Sequence, residues 1–417
     1  MILNRKLTIG WVAAGQALSA LGTVVGLRIL TQFLEPATFG VVTLALGAAA
    51  LALGLACTPL TQAAMYFYPS LAARGDAANL IGALRRGLAR TGRWLLAAGA
   101  VIALLYVSVA GGSIWIVAAT AALFVCDCWR SVNLCLLNCA SKHERYGMWM
   151  ALEAWGRPLC ATAAVLLVRQ SAVAVLFAYA AVSLILNLAL SQGPPKGEKP
   201  VDAAAELDTR VWHYAVPLIP LGLLGWANGL SDRYIIGGML SLHDTGIYAA
   251  AYGLASRPLL LVNATFEQFM RPVYQNAVSA GRTARAALLL RYWLTGLAAV
   301  NCVVVLSVFF FRNTLAAIFL GADFRSGAAL MPWIAAGYAV LSLSYVFERV
   351  CLAHAHTRRV LAVETLSGIC ALVMTVFAVS AWGLIGAAAA VPFYFGVQLV
   401  SAIYFSRPMM SLRAAPT

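Results

Sequence analysis

Charged side chains are what this sequence has least of. Of its 417 residues, 62% are hydrophobic and only 11% are charged, whereas soluble chains average about 45–50% apolar and about 25% charged residues. Acids are the scarcer sign, with 15 Asp and Glu against 29 Lys and Arg. A soluble chain of this size cannot turn so much apolar surface inward. The composition therefore excludes a soluble enzyme, a secreted domain and a disordered chain, and it predicts an all-α polytopic membrane protein.

Motifs that carry chemistry are also missing. The sequence has no Walker phosphate-binding pattern, no metal-ligand spacing among its 5 His and 9 Cys, and no catalytic constellation. It also has no outside segment long enough for an external catalytic loop. We therefore expect a protein that is not an enzyme and that carries no cofactor and no metal. The cysteines are interpreted as packing residues without disulfides.

Long apolar stretches are what the sequence does contain. A bilayer core about 30 Å thick needs about 20 apolar residues per helix. Twelve stretches qualify: 7–29, 39–60, 94–110, 114–137, 149–168, 172–190, 212–240, 247–270, 292–311, 328–352, 360–381 and 384–405. With the N-terminus inside, Arg169, Arg312 and Arg325 are the basic residues left in outside segments. This asymmetry predicts twelve spans with both termini cytoplasmic. The formal charge of +14 then reflects orientation, and we expect no nucleic-acid partner.

The predicted spans fall into two halves. Residues 191–210 are rich in Pro, Gly and charge, which is typical of a flexible cytoplasmic linker. The linker separates an N-lobe, 1–190 with helices 1–6, from a C-lobe, 211–417 with helices 7–12. The halves echo one another weakly, since Arg28 precedes Phe39-Gly40 much as Arg233 precedes Thr245-Gly246. Two parallel six-helix lobes around a central cavity suit alternating access.

Several charged residues fall inside the spans. Each costs at least about 2.5–3.5 kcal/mol at a span centre, so each should face protein, a partner or water. Asp127 with Arg130, and Glu153 with Arg157, have helical ion-pair spacing. A separate group near the inner ends of the spans is interpreted as snorkelling to the interface; it comprises Glu348, Arg349 and Glu364.

Three arginines are harder to explain by pairing. Arg28 and Arg233 occupy matching outer positions in spans 1 and 7, and Arg257 lies mid-span with no acid three or four residues away. Arginine stays charged and binds phosphate bidentately. We predict that these three hold an anionic headgroup, with ion pairs between helices as the alternative. Asp232 would neutralise Arg233 or bind a coupling cation.

Aromatic side chains and prolines lie near these charges. Trp226 and Tyr252, together with Tyr234 and Tyr248, are candidates for stacking on sugars, with packing or an interface belt as the alternative. Prolines at 217, 220 and 258 predict helix kinks beside the charged positions.

Two segments resemble a known family. They are residues 21–47, LGTVVGLRILTQFLEPATFGVVTLALG, and residues 216–255, which contain DRYIIG and GIYAAAYGLA. They resemble the O-antigen and exopolysaccharide flippases, the polysaccharide-transporter branch of the multidrug/oligosaccharidyl-lipid/polysaccharide exporter superfamily. In that resemblance Asp232 and Arg233 match the family's Asp-Arg positions, and Arg28 matches its basic residue after the first span.

The resemblance implies a flippase of the bacterial inner membrane. Its substrate would be an undecaprenyl-pyrophosphate-linked oligosaccharide, moved from the inner to the outer leaflet for surface polysaccharide such as O-antigen, lipopolysaccharide or exopolysaccharide. Further implied partners are membrane lipids, a coupling cation (H⁺ or Na⁺) and glycan-assembly proteins. Asp232, Glu153 and Glu267 are the candidates for the coupling site.

Two alternatives stay open from the residues alone. A cation-coupled multidrug exporter would have the same fold, but its site should favour acids, whereas the deep unpaired charge here is positive. A scaffold in a glycan-assembly complex, with no transport of its own, would make the cavity charges dispensable.

Overall fold

The computed structural model describes residues 2–168, 171–190, 203–354 and 356–411. This part is helical and contains no strand. The helices are α1 Ile2–Phe33, α2 Pro36–Ala56, α3 Thr58–Ala72, α4 Ala77–Ala110, α5 Ile114–Cys139, α6 His143–Leu167, α7 Ala172–Leu190, α8 Ala203–Ala215, α9 Ile219–Met239, α10 Leu242–Ser279, α11 Thr283–Phe319, α12 Met331–Ala353 and α13 Thr357–Ser411, with 3-10 segments at Val216–Leu218 and Ala322–Ala329. Each of the twelve predicted spans coincides with helix, so the all-α fold is confirmed.

Seven helical stretches are long and apolar enough to cross a membrane: Pro36–Ala72, Ala77–Leu105, Ile114–Cys139, Ala172–Leu190, Thr283–Phe319, Met331–Ala353 and Thr357–Met409. They contain predicted spans 2, 4, 6 and 9 and most of spans 3 and 10, and the last stretch contains both 11 and 12. The helices of the remaining spans, α1, α6, α9 and α10, include the intramembrane charges at Arg28, Glu153, Arg233 and Arg257.

Two basic segments that the sequence placed in loops are helical. The predicted third span starts at 94 and the ninth at 292, but α4 begins at Ala77 and α11 at Thr283. Arginine, alanine and leucine are all good helix formers, so a helix can continue past the apolar part that crosses the bilayer. The arginines at 85–93 and 285–291 therefore lie on helices rather than on flexible loops. Arg282 is the residue that directly precedes α11.

Proline and glycine interrupt the helices at two places near the ends of predicted spans. Pro217 lies in the 3-10 turn Val216–Leu218, which divides the predicted seventh span into α8 and α9, because proline has no backbone N–H to donate. Gly383 adopts φ 58° and ψ −139° inside α13, a conformation that favours glycine. Gly386 then lies directly against the carbonyl of Ala378, so the chain reverses between the predicted eleventh and twelfth spans. Residues 169 and 170, between the predicted fifth and sixth spans, lie outside the described residues.

The chain divides into two compact units. Unit 1 is Met1–Leu34 with Val41–Trp226, and unit 2 is Glu35–Gly40 with Ala227–Thr417. In unit 1, α1 packs along α6, and Gly22 and Gly26 of α1 lie against Trp155 and Pro158. In unit 2, α10, α11 and α12 pack against one another and α12 packs against α13. Each unit therefore has its own helical core.

The predicted linker is only partly a connector. Residues 191–202 lie outside the described residues, but from Ala203 the chain forms α8, which packs on α3 and α4. Leu207, Val211 and Ala215 recur every four residues and join the core of unit 1, and Asp208 accepts two hydrogen bonds of 2.7 Å from Arg86. The expectation of a flexible segment is therefore wrong for 203–210, because these residues carry an apolar helical stripe.

Candidate functional site

Unit 2 brings three of the predicted site residues together. Arg233 of α9 places its guanidinium carbon 4.9 Å from the ring centre of Tyr252 of α10, a cation–π geometry that is strongest away from water. The Nε of Arg233 is buried and has no hydrogen-bond partner, and its guanidinium makes no ion pair within the described part of the chain. Its positive charge is therefore oriented by an aromatic ring and not neutralised by direct contact with an acid.

Asp232 points into the helix packing rather than towards Arg233. It is 4% exposed, accepts a 2.6 Å hydrogen bond from the Tyr248 hydroxyl, and accepts one of 2.8 Å from the backbone N–H of Arg233. The bond from Tyr248 joins α10 to α9, whereas the bond from the Arg233 backbone lies within α9. The two side chains form no direct ion pair, although their charges lie close enough to attract, so neutralisation of Arg233 by Asp232 stays a prediction.

Arg257 lies one and a half helical turns beyond Tyr252 on α10. Its side chain is exposed and forms no ion pair with any described residue. It lies close enough to Arg233 for the two positive charges to repel, and it also lies near Tyr338. Unit 2 thus holds two arginines near each other without a carboxylate between them.

Three aromatic residues at this site were missed by the sequence reasoning. The Tyr338 hydroxyl of α12 is 2.6 Å from the Tyr252 hydroxyl, and Phe395 of α13 packs against Tyr338 at 5.6 Å between ring centres. Tyr394 is 1% exposed and lies beside Phe395. No local motif marks these positions, because the contact that links them to Tyr252 joins residues 86 positions apart along the chain.

The buried aromatics do not present open ring faces in this conformation. Tyr248 and Tyr252 are 0% and 3% exposed, and the ring of Tyr252 is in contact with Arg233, Tyr248 and Tyr338. Tyr252 contacts the guanidinium of Arg233, and Tyr248 donates to the neighbouring Asp232. Stacking of these rings on sugars stays a prediction.

Arg28 and Trp226 belong to unit 1. Arg28 is half-buried on α1, and Trp226 donates a 2.9 Å hydrogen bond from its indole N–H to the carbonyl of Gly47. This bond fastens the end of unit 1 to α2.

The paired charges predicted in the N-lobe form one network in unit 1. Arg130 Nε is 3.3 Å from Asp127, and Arg157 is 3.2 Å from Glu153, as the spacings predict. The arginines also cross over: Arg130 is 2.9 Å from Glu153, and Arg157 contacts Asp127. Ser183 of α7 donates a 2.9 Å hydrogen bond to Asp127. Two acids and two arginines thus balance, which is what burial of charge requires.

A second acidic cluster was misread from the sequence. Glu348 is 3% exposed, so it does not snorkel to the interface. It accepts a 2.9 Å hydrogen bond from Gln398 Nε2, which also reaches Glu364 at 3.5 Å. Asn228 donates to Glu364 at 2.8 Å, and its own Oδ1 is buried without a partner. Neither glutamate makes an ion pair with a described residue.

The three earlier candidates for a coupling site are each held by other groups. Glu267 is 2.6 Å from Arg349 and 3.2 Å from Arg271, Glu153 belongs to the unit 1 network, and Asp232 is held by Tyr248. No group of three or more His, Cys, Asp or Glu side chains in the described residues is placed to hold a metal ion.

Comparison with known proteins identifies a family and a fold. Residues 95–329 match the family profile described as "Polysaccharide biosynthesis protein". No curated protein matches the sequence significantly.

Solved structures share the whole architecture. A structure described as "Lipid II flippase MurJ, inward closed conformation" has a TM-score of 0.72 at 11% identity, covering 95% of this chain and 87% of that one. An inward-facing multidrug resistance MATE family transporter of the MOP superfamily has a TM-score of 0.65 at 13% identity, with 98% and 94% covered. A MOP superfamily transporter from Pyrococcus furiosus has a TM-score of 0.56 at 12% identity, with 98% and 96% covered. At these identities the similarity shows the fold.

Proposed function

Because the chain belongs to the polysaccharide biosynthesis protein family, we propose that it flips a polyprenyl-pyrophosphate-linked oligosaccharide across the bacterial inner membrane. Transport runs from the inner to the outer leaflet by alternating access and supplies surface polysaccharide assembly. Both termini lie in the cytoplasm, as the distribution of basic residues favours.

The observation that carries this proposal is the pair of arginines in unit 2, Arg233 and Arg257, neither of which forms a direct ion pair with a described carboxylate. Arg233 and Arg257 lie close enough to repel each other, and neither makes an ion pair with a described residue. A charged residue within a membrane span requires a partner or water. A pyrophosphate would supply the missing negative charge, since guanidinium groups bind phosphate oxygens with two parallel hydrogen bonds.

The neighbouring residues keep Arg233 ready for an anion. Tyr252 holds the guanidinium against its ring, and Asp232 holds the backbone N–H of Arg233 while accepting from Tyr248. Preorganised donors lose little conformational entropy when the ligand arrives. We also propose that Arg28 and Trp226 of unit 1 take part in substrate binding, Arg28 as a basic group and Trp226 as an aromatic surface for the glycan.

Substitution of each arginine tests the proposal. Arg233→Ala and, separately, Arg257→Ala should leave the protein in the membrane and lower surface glycan display at least about tenfold, the effect of losing about 1.4 kcal/mol of substrate binding. Arg325→Ala is the matched control, because Arg325 is exposed in the 3-10 segment Ala322–Ala329. Display would be measured with a glycan-specific antibody, alongside the amount of protein in the membrane.

The same strains distinguish the competing functions. Normal display in both arginine variants would remove the anion site. A drug-susceptibility change on deletion of the gene, with intact surface glycan, would instead favour the multidrug exporter. That exporter is the weaker candidate, because the uncompensated charge at the site is positive.

We also propose that Glu348 and Glu364 bind the coupling cation. Glu348 is buried and Glu364 half-buried, and two such carboxylates that share one amide donor cannot both stay charged at low cost without a proton or a cation between them. The free Oδ1 of Asn228 adds a third oxygen, and oxygen ligands suit both a shared proton and Na⁺. This assignment replaces Asp232, Glu153 and Glu267, which have partners of their own.

A further inference from the structure

Unit 2 contains a cavity of about 580 Å³ away from Arg233 and Arg257. Four helix ends enclose it. Tyr274 comes from the end of α10, Arg291 and Leu294 from the first turns of α11, His354 from the residue after α12, and Met409 from the end of α13. The volume is within the range of about 300–1,000 Å³ that small-molecule sites occupy.

The cavity lies at the basic end of unit 2. Because α10, α11, α12 and α13 run up and down, the residues near their joined ends share one side of the unit, as the core around Trp293 and Val350 shows. This end carries the arginines at 271, 282, 285, 291, 358, 359 and 407. The positive-inside rule places such an end in the cytoplasm, where the leaflet is rich in anionic lipids.

The polar groups of the cavity have unused hydrogen-bonding capacity and a positive charge. Arg291 is exposed and makes no ion pair with any residue that the structure describes, and no acid lines the cavity. Tyr274 is 4% exposed, yet its hydroxyl has no hydrogen-bond partner among the described residues. His354 donates from Nδ1 to the carbonyl of Val350 at 3.0 Å, which fixes its ring at the cavity wall. These groups match an anion that accepts hydrogen bonds.

The rest of the lining is apolar. Leu290 and Met409 are each 8% exposed and form the buried wall, with Leu294 beside them. Next to the cavity, Leu288 and Tyr292 of α11 expose 50% and 61% of their surface, as expected of side chains that meet lipid at the membrane boundary. A ligand here would need a charged head and an apolar body.

We propose that this cavity binds one anionic glycerophospholipid of the cytoplasmic leaflet, with its phosphate at Arg291 and its glycerol and upper acyl chains against Leu290, Leu294 and Met409. Basic pockets between membrane helices on the cytoplasmic side are known to bind anionic headgroups. The lipid would tie the ends of α10, α11 and α13 together. The assignment does not depend on which molecule the protein transports.

Lipid retention by the full chain tests the proposal. The wild type, Arg291→Gln and the matched control Arg285→Gln would be reconstituted in nanodiscs of phosphatidylglycerol and phosphatidylcholine, extracted, and analysed by native mass spectrometry. Arg285 is exposed on the same helix but outside the cavity. The wild type and Arg285→Gln should each retain one phosphatidylglycerol, and Arg291→Gln should retain it at least about tenfold less, since one lost charge-assisted contact of about 1.4 kcal/mol is tenfold.

A second variant tests the cavity itself. Ala287→Phe fills the space beside Arg291 and leaves the charge in place, so it should also lose the phosphatidylglycerol. If Ala287→Phe does not fold, the comparison of Arg291→Gln with Arg285→Gln still tests the proposal. Unchanged retention in Arg291→Gln, an equal loss in Arg285→Gln, or equal retention of phosphatidylcholine would overturn the proposal. Displacement of the lipid by inorganic phosphate alone would also overturn the proposal. Retention of a polyprenyl-pyrophosphate lipid in place of phosphatidylglycerol would overturn it as well.

Discussion

Arginines in the membrane-spanning helices fall into two groups that differ in their contacts. Arg130 and Arg157 each contact both Asp127 and Glu153, so their charge is balanced inside unit 1. Arg233 and Arg257 have no such acid among the described residues. Removing one partner from a buried ion network typically costs about 3–5 kcal/mol, so variants of the first group should act through stability. Variants of the second group should instead weaken the binding of the substrate.

Glu348 is the residue at which energy coupling can be tested. If the Glu348–Glu364 pair holds the coupling cation, Glu348→Gln removes one carboxylate yet keeps a hydrogen-bonding side chain beside Gln398. Transport should fall at least about tenfold, equivalent to about 1.4 kcal/mol in the barrier, and the remaining transport should no longer respond to an imposed pH or Na⁺ gradient. The measurement is flipping of the lipid-linked glycan in proteoliposomes with the gradient set by the buffers.

Glu35→Gln is the control for that measurement, because Glu35 is an exposed acid of the same unit. It should transport as the wild type does, with the same gradient dependence. Full gradient dependence in Glu348→Gln would exclude the pair as the coupling site and would leave the anion site of Arg233 and Arg257 standing.

Helices could be predicted from the sequence far better than their contacts. Each predicted apolar stretch lies in helix, because the thickness of the bilayer sets a minimum length for an apolar helix. Local spacing also gave the Asp127–Arg130 and Glu153–Arg157 pairs. It did not give the buried state of Glu348, since Gln398 lies 50 residues further along the chain. It also missed α8, because the charges around Leu207 hid a short apolar stripe.

One helix contact reflects the internal repeat directly. Gly40 of α2 lies against the carbonyl of Leu242, and Gly246 of α10 lies against the carbonyl of Pro36. Each glycine thus touches the residue four positions before the other glycine, which is the pattern that a local two-fold axis produces. The Phe39-Gly40 and Thr245-Gly246 echo in the sequence therefore corresponds to a reciprocal helix crossing inside unit 2.

Alanine at either glycine should disturb this crossing. A Cβ at Gly40 or at Gly246 would overlap a backbone carbonyl, and backbone cannot move aside as a side chain can. We expect each variant to lose about 1–3 kcal/mol of stability, the usual cost of overpacking, seen as a lower thermal unfolding temperature in detergent. Gly229→Ala is the control, because nothing lies within 4 Å of a Cβ at that position of α9. An unchanged unfolding temperature in both Gly40→Ala and Gly246→Ala would show that the two helices do not meet there.

Across the whole molecule, most of the positive charge sets the orientation of the protein in the membrane, and only a few basic residues are candidates for substrate binding. The excess of 29 basic over 15 acidic residues comes largely from the helix ends that we place in the cytoplasm, where it sets topology. Only a few positive charges lie deep in the helices. The small set without acidic partners is what an anionic substrate could recognise, and it sits on a fold shared with transporters of one superfamily.

Deletion of the gene tests the function of the molecule as a whole. A strain without a flippase should accumulate the lipid-linked oligosaccharide on the inner leaflet and lose the surface polymer, because the pyrophosphate headgroup and its glycan are too polar to cross the hydrocarbon core unaided. Extraction of the lipid fraction, mass spectrometry of the released glycan and a leaflet-specific label would identify the substrate and its side. Complementation with wild type should restore export, whereas Arg233→Ala should not. If Arg233→Ala and Arg257→Ala each restore export in the deletion strain as fully as wild type does, the protein would instead be a scaffold. In a scaffold the presence of the protein matters and its charges within the helices do not.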